Sequence, residues 1–265
     1  YKNGEEFSWA RNYYHKPVMS LNWDYKINDK MKLSSVVYAS WGRGGGTGNI
    51  GKSPFSYKTA NGLVPFDEFV KFNTGQPNSI GTPLKPSTVV GHEGEYVTNV
   101  STGFTRRASV NSHDWYGAVV NFNTQLTKNL ILDFGVDART YVGYHFRNIN
   151  DRLGADVYFD NKDINNPNRY LYGTYSATPS FNPWTDVKSQ EKIEYNNNGY
   201  VKWYGAFTQL EYSNDNLSAF FQGAVSQQGF QREDTFLYKT TDPLYKTDFE
   251  NILGGNVKGW VNYNI

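Results

Sequence analysis

Cysteine is absent from the 265 residues, which excludes a disulfide framework and any thiolate metal site. Charge of one sign is not in excess either: 26 Lys and Arg face 25 Asp and Glu, for a formal charge of +1. That balance removes the electrostatic case for nucleic-acid binding, which draws on a basic excess gathered on one face. Histidines number four and methionines two. No apolar run approaches the roughly 18 residues of a membrane helix. Aromatic residues abound instead: 21 Tyr, 17 Phe and 7 Trp make up 17% of the chain, yet its mean hydropathy is -0.66.

Many aromatics in an otherwise polar chain point to a boundary between oil and water, or to surfaces that face sugars. The structure other than a helix that crosses a bilayer is a closed β-barrel, whose strands alternate apolar and polar residues and look hydrophilic on average. Low hydropathy is therefore compatible with membrane insertion. The opening residues Tyr1 to Glu6 lack the charged start and apolar stretch of a signal peptide. The chain also ends in mid-alternation, and it reads as an interior piece of something longer.

From Met19 to Ile27 every odd position is apolar or aromatic and every even one polar, the signature of a strand. Asn28, Asp29 and Lys30 supply a turn, and Met31, Leu33, Val37, Ala39 and Trp41 continue the apolar row against Lys32, Ser34, Tyr38 and Ser40. A second hairpin runs through Tyr116, Ala118, Val120, Phe122 and Leu126, turns at Thr127, Lys128 and Asn129, and returns through Leu130, Leu132, Phe134, Val136, Ala138, Val142, Tyr144 and Phe146. Its opposite row carries Asp133, Asp137, Arg139, His145 and Arg147. The third pairs Tyr204, Ala206, Leu210 and Tyr212 with Leu217, Ala219, Phe221 and Val225 across a turn at 213–216. A seventh strand begins at Val257 and alternates through Val261, Tyr263 and Ile265.

Turns of three or four residues at one end contrast with connections over 42–114, 147–199 and 230–256 at the other. Short periplasmic turns and long extracellular loops are how outer-membrane barrels are built, and such loops are uncommon in compact soluble domains. Trp23 and Tyr25 near one turn, with Trp41, Tyr116, Tyr144 and Tyr204 toward the long loops, fit two interfacial girdles. The pattern predicts an all-β protein, an antiparallel transmembrane β-barrel. Seven strands do not close a membrane barrel, so the chain is expected to be part of one. A soluble β-sandwich is the alternative, and it leaves the one-sided loop lengths unexplained.

Gly46 to Ser53 satisfies the phosphate-loop pattern G-x-x-x-x-G-K-[ST]. That chemistry needs a helix to start at once, and Pro54 disfavours helical geometry at Ser53. A flexible glycine-rich exit from the strand is the expectation. Asp160 to Asn166 is rich in oxygen ligands without the glycine and glutamate of a calcium loop. His92-Glu93 opens a zincin-like motif, but Tyr96 stands where its second histidine belongs. No serine elbow occurs. Catalysis, a metal and a cofactor are accordingly not expected. Leu63 to Val70 reads as a short helix beginning near Pro65, with Phe66, Phe69 and Val70 on one side. The candidate ligand-binding residues are Asp137, Arg139, His145 and Arg147 on the polar row, and Tyr170, Tyr172, Tyr175 and Trp184, with Phe181, in the loops. Flat rings beside amides and charges suit sugar or peptide capture.

Asn22-Trp23 with 27–30, then 37–48, 113–117, 198–203 with 209–212, and 256–265 resemble the barrel of TonB-dependent outer-membrane receptors of the Bacteroidetes type, including the SusC/RagA-like branch. The resemblance spans the whole chain. It implies a roughly 22-stranded barrel plugged by an N-terminal domain, of which residues 1–265 are a part without the plug. It implies import of a nutrient (glycan, peptide or metal chelate) across the cell outer membrane. The partners implied are the lipid bilayer, the TonB-ExbB-ExbD complex acting through the absent plug, and a SusD-like surface lipoprotein lid. The competing readings are a secreted or surface carbohydrate-binding β protein and a passive porin.

Overall fold

Alternation at period two becomes, in the computed structural model, one large antiparallel sheet. The structure describes residues 2–182, 184–185 and 187–264. Tyr1 of the opening segment and Ile265 of the last strand lie outside the described residues. The strands are β1 (Asn12–His15), β2 (Val18–Asn28), β3 (Met31–Gly51), β4 (Val97–Thr98), β5 (Phe104–Thr127), β6 (Leu130–Asp151), β7 (Val157–Asp160), β8 (Arg169–Leu171), β9 (Ile193–Ser213), β10 (Leu217–Asp234) and β11 (Glu250–Tyr263), with one helix, α1 (Phe66–Asn73), between β3 and β4.

The main sheet runs β1-β3-β5-β6-β9-β10-β11, with β2 on the same edge of β3 as β1. Between β1 and β2, Pro17 gives no N–H, but its carbonyl accepts from the Trp41 N–H at 3.2 Å, so the edge is nearly continuous. All seven expected strands are present. The sheet is open: among the described residues β11 does not pair with β1 or β2.

The tight turns are made by side chains that cap their own backbone. Asn28 Oδ1 accepts from the Lys30 N–H (2.9 Å), Thr127 Oγ1 from Asn129 (3.2 Å) and Asn214 Oδ1 from Leu217 (2.7 Å). Register then fixes the faces, because a slip of one residue would turn every side chain over. Val37, Ala118 and Ala138 fall in one cross-strand row with Tyr204, and the next row holds Tyr38, Gly117, Arg139 and Trp203, on the other face.

At the long-loop end the strands overshoot the expected ends. The stretch after Trp41 is not a flexible exit: β3 continues to Gly51, paired with β1 on one side and β5 on the other. Its glycines are there because a Cβ at Gly42 or Gly44 would fall inside the Tyr14 and His113 side chains. Residues 46–51 are therefore extended strand, and the phosphate-loop reading fails on geometry as well as on Pro54. The connections that remain, 52–103, 152–192 and 235–249, are still long.

Those connections build small cores of their own. Helix α1 begins at Phe66 as expected and runs three residues past Val70, burying Phe66, Phe69 and Phe72 with Trp9, Phe104 and Leu153. The Phe69 and Phe104 rings stack at 4.2 Å. Asn73, fully buried, donates to the carbonyls of Phe104, Arg152 and Leu153 and accepts from the Phe104 N–H, tying the helix to β5 and to the turn after β6. Lys71 at 2.6 Å and the Ser79 N–H hold the Glu68 carboxylate below the usual carboxylate range. A second sheet, β4-β7-β8, was not expected. It packs Tyr158 and Leu171 against Ile50, Ile149 and Ile193 on the polar side of the main sheet, and burial raises the Tyr158 hydroxyl well above its ordinary pKa.

Phe69→Ala is expected to cost about 3–5 kcal/mol of the stability of this loop core. Hydrogen exchange checks it: amides of 66–73 should lose protection while those of β6 and β9 keep theirs.

Candidate functional site

On β6 the period of two sends Asp133, Asp137, Arg139, Tyr141, His145 and Arg147 to one face. Register extends that face to Tyr14 on β1, Tyr38 on β3, His113 and Trp115 on β5, and Trp203 and Phe207 on β9. These rings form a connected array. Trp115 meets Tyr38 and Tyr141 edge-on, each at 6.2 Å. Tyr141 lies 5.5 Å from His113, and His113 Nδ1 shares a 3.1 Å hydrogen bond with the Tyr14 hydroxyl. Beside them Arg139 is held by the Asp137 carboxylate through Nε (3.1 Å) and Nη2 (2.5 Å), and its guanidinium sits 5.0 Å from the Trp203 ring centre. Lys16 Nζ lies 5.5 Å over Trp115.

The rings are able to lie against the sheet because their cross-strand partners are glycines. Tyr38 is paired with Gly117, Phe207 with Gly135, His113 with Gly42 and Tyr14 with Gly44. At each of these glycines an added Cβ would overlap the neighbouring ring. The result is a low wall of ring faces with an oriented guanidinium and carboxylate beside it. Such a wall can hold a flat or polyhydroxylated ligand by stacking and charge-assisted hydrogen bonds.

The eight residues expected to bind ligand do not converge. Asp137 and Arg139 belong to the ring array. Farther along the same face His145 bonds Asn111 at 2.8 Å, and Arg147 is ion-paired with Glu194. Tyr170 and Tyr172 gather in the loops around His92: the His92 ring stacks on Tyr170 at 3.4 Å, and Tyr172 donates to Glu95 at 2.9 Å. Tyr175 and Trp184 lie over the opposite, apolar face. The Tyr175 N–H donates to the Ile149 carbonyl (2.8 Å), its hydroxyl accepts from the Glu191 N–H (2.7 Å), and Trp184 leans on Trp41 at 5.9 Å. Phe181 approaches His15 at 4.8 Å.

Tyr14, Tyr38, Trp115, Tyr141 and Trp203 were not singled out from the sequence. Their signal is present there: each aromatic is out of phase with the apolar row of its strand, and glycines are frequent at the same phase of the neighbouring strands. The oxygen-rich segment after Asp160 is occupied by the protein itself: Arg169 meets Asp160 at 2.5 Å, and Asp163 caps the amides of Asn165 and Asn166. Among the described residues no group of three His, Asp or Glu side chains converges as a metal site.

In comparisons with known proteins, no family model and no curated protein matches the chain significantly.

Gly117→Val should push Tyr38 off the strand and destabilise the sheet by about 1–3 kcal/mol, with a shift in tryptophan emission from the displaced neighbour Trp115. Gly199→Val, where an added Cβ meets nothing within 4 Å, should leave both the denaturation midpoint and the spectrum unchanged.

Proposed function

We propose that the chain forms part of the barrel of a TonB-dependent outer-membrane receptor that imports a nutrient. One observation carries the reading: among the described residues the middle of the apolar face stays uncovered on β2, β3, β5, β6, β9, β10 and β11. Leu21, Trp23, Tyr25, Val37, Tyr116, Phe134, Val136, Tyr204, Phe221, Val225, Val257, Val261 and Tyr263 are all exposed on it. Phe134 and Val136, at 49% and 44% exposure, would be interior residues of a sandwich, yet among the described residues no second sheet covers them.

Magnitude separates this face from an ordinary soluble surface. Its seven exposed aromatics, Trp23, Tyr25, Tyr116, Phe134, Tyr204, Phe221 and Tyr263, leave roughly 100 Å² each open, taking half of the about 150–250 Å² such side chains carry. That is roughly 700 Å² before the aliphatic residues are added, against about 300–600 Å² for the largest patch on a typical monomer. The height of the band approaches that of the apolar belt of a membrane barrel. Tyr212 and Tyr204 stand eight residues apart on β9, about 26 Å along the strand, and the level of Tyr25 is likewise eight residues from Trp41 on β3, counted from its partner Leu33. Tilt shortens this to about 20 Å, within reach of an apolar band about 25 Å tall once the rings extend it. Tyr144, expected in the upper girdle, is buried beneath Val187 and Lys188 instead, because the 172–192 connection folds back over that face above Trp41 and Tyr116.

On this reading the apolar face meets lipid, the ring array lines the lumen, and the long connections sit outside the cell. A glycan or peptide presents ring faces, hydroxyls and amides that this wall accommodates. A binding wall shifts equilibria only by its differential affinity for two states, so uphill import draws its energy from the TonB-ExbB-ExbD complex acting on a plug. A SusD-like lipoprotein lid is the further partner that the resemblance supplies. The resemblance rests on the sequence stretches quoted above, spread over 22–265.

Phe134→Arg, at mid-band, should cost about 2–4 kcal/mol of membrane stability and reduce the heat-modifiable folded species on gels of outer-membrane extracts. Gln209→Arg, on the polar face, should leave that species unchanged. A protein that stays in solution without detergent would overturn the reading. Nutrient uptake by cells should stop when the proton gradient is collapsed, whereas diffusion through a passive porin would continue.

A further inference from the structure

Farther up the face that carries the ring array, toward the long connections, irregular pairing brings two arginines together. Arg147 of β6 pairs with Ser109 of β5, and Arg107 stands two residues along β5 on the same face, so the two are diagonal neighbours, about 7–8 Å apart at the backbone. The pairing of β6 with β9 shifts at Arg147, leaving Glu194 and Tyr195 as the unpaired residues of a bulge. Glu194 takes φ +62° there, a conformation uncommon outside glycine. Its carboxylate is ion-paired with Arg147, whose guanidinium also lies 5.3 Å from the Tyr195 ring centre and donates from Nε to Ser109 Oγ at 3.2 Å. A second shift falls between Arg106 and Arg107 in the pairing of β5 with β6. Bulges re-aim side chains and recur beside functional sites, and here both flank the same pair of guanidiniums.

Arg107 lies over β3, where Gly48 leaves it room: a Cβ there would fall 2.9 Å from Nη2. Its Nη1 donates to the Gly46 carbonyl at 3.0 Å and its Nε is buried, but its Nη2 makes no hydrogen bond and the side chain joins no ion pair. Arg147 Nη2 is likewise without an acceptor. Unlike Arg107 Nε, both Nη2 groups keep accessible surface, and the Arg147 side chain is 31% exposed. Two unused guanidinium edges side by side match a planar carboxylate, which can accept from both at once. Below the pair the wall continues through His145 and Asn111 to Tyr141 and His113. Tyr141 stands six residues from Arg147 on β6, about 20 Å along the strand. Ring faces at that distance suit the C–H faces of sugars joined in a short chain. We infer that the ligand of this face is an acidic oligosaccharide, with a carboxylate on Arg107 and Arg147 and its sugar rings along the wall toward Tyr141 and Trp115. The inference rests on the proposed reading in taking this face as the lumen.

The test is calorimetric titration of the intact protein, in detergent or, if it dissolves without it, in buffer, with tetragalacturonate, its methyl ester, tetraglutamate and acetate. Tetragalacturonate should bind saturably, and the ester, which keeps the rings and loses the charges, about tenfold or more weakly by comparison. Arg107→Gln should weaken binding of the acid about tenfold and leave that of the ester unchanged, with the thermal midpoint as the check on folding. Arg147→Lys keeps the charge facing Glu194 and loses the planar fork; it serves if the first variant folds poorly, and it should lower affinity for the acid severalfold. Equal affinity for acid and ester, or no binding of either, would overturn the inference. Tetraglutamate or acetate bound as tightly as tetragalacturonate would show an anion site without sugar recognition and would overturn it as well. A protein that gives the heat-modifiable species but does not prefer the acid loses this inference alone. One that dissolves without detergent loses the barrel reading, and its titration still decides between acid and ester.

Discussion

Every long strand of the main sheet turns an apolar row to the same side, and nothing among the described residues covers the middle of that side. This single constraint organises the molecule. In water an apolar face of this extent would be removed by packing against a second layer, because burial is the dominant favourable term in folding. The connections do pack onto the sheet, but only beyond Trp41 and Tyr116, where Tyr144, Phe146 and Val110 acquire cover from Val187. Folded loops are present and reach the face, yet they stop at its upper border. The uncovered band is thus a boundary kept by the fold, and on the proposed reading hydrocarbon is the environment that makes it favourable.

The other face obeys a different rule. There the pairing of ring with glycine across strands sets the relief of the wall. Glycine weakens a strand through entropy and the loss of a side chain to pack, and β3, β5 and β6 accept it at Gly42, Gly44, Gly117 and Gly135. What is gained is a set of rings lying along the sheet, with Arg139 locked by Asp137 beside Trp203. A bulky residue at any of these positions would lift its ring outward and narrow whatever space the wall encloses. The glycine-rich stretch after Trp41, which in sequence looks like a loop, follows the same rule, because Tyr14 and His113 occupy the space of the side chains missing at Gly42 and Gly44.

Alternation made the seven main strands and their tight turns legible in the sequence, since period two and the Asn and Asp turn residues are local signals. The same locality explains what was not legible. Strand β1 is four residues long and is held by pairing with Gly44 and its neighbours. The β4-β7-β8 sheet joins segments whose partners lie far apart in the chain, and no period announces strands of two to four residues. Trp184 and Tyr170 looked alike as loop aromatics, yet one settled on Trp41 over the apolar face and the other on His92 over the polar side. Which face a loop crosses is decided by tertiary packing. Of the candidate site, Asp137 and Arg139 were readable from phase alone, whereas the rings around them required the register between strands.

The open edges of the sheet complete the argument. Along β2 and β11 nearly every residue is exposed, and each edge presents a row of backbone groups without a sheet partner. In water such edges invite association; in a membrane each unpaired group costs several kcal/mol, so an open edge within hydrocarbon is untenable. The membrane reading therefore demands further strands against both edges, and it also dictates their phase. A neighbour of β11 must place its apolar residues level with Val257 and Val261, and a neighbour of β2 must match Leu21 and Trp23, because a shift of one residue would turn lysines and aspartates such as Lys258 and Asp24 toward lipid. On that reading, the strands that complete a barrel have to carry the same two-faced pattern, with charges on the side of Arg139 and aromatics on the side of Phe134.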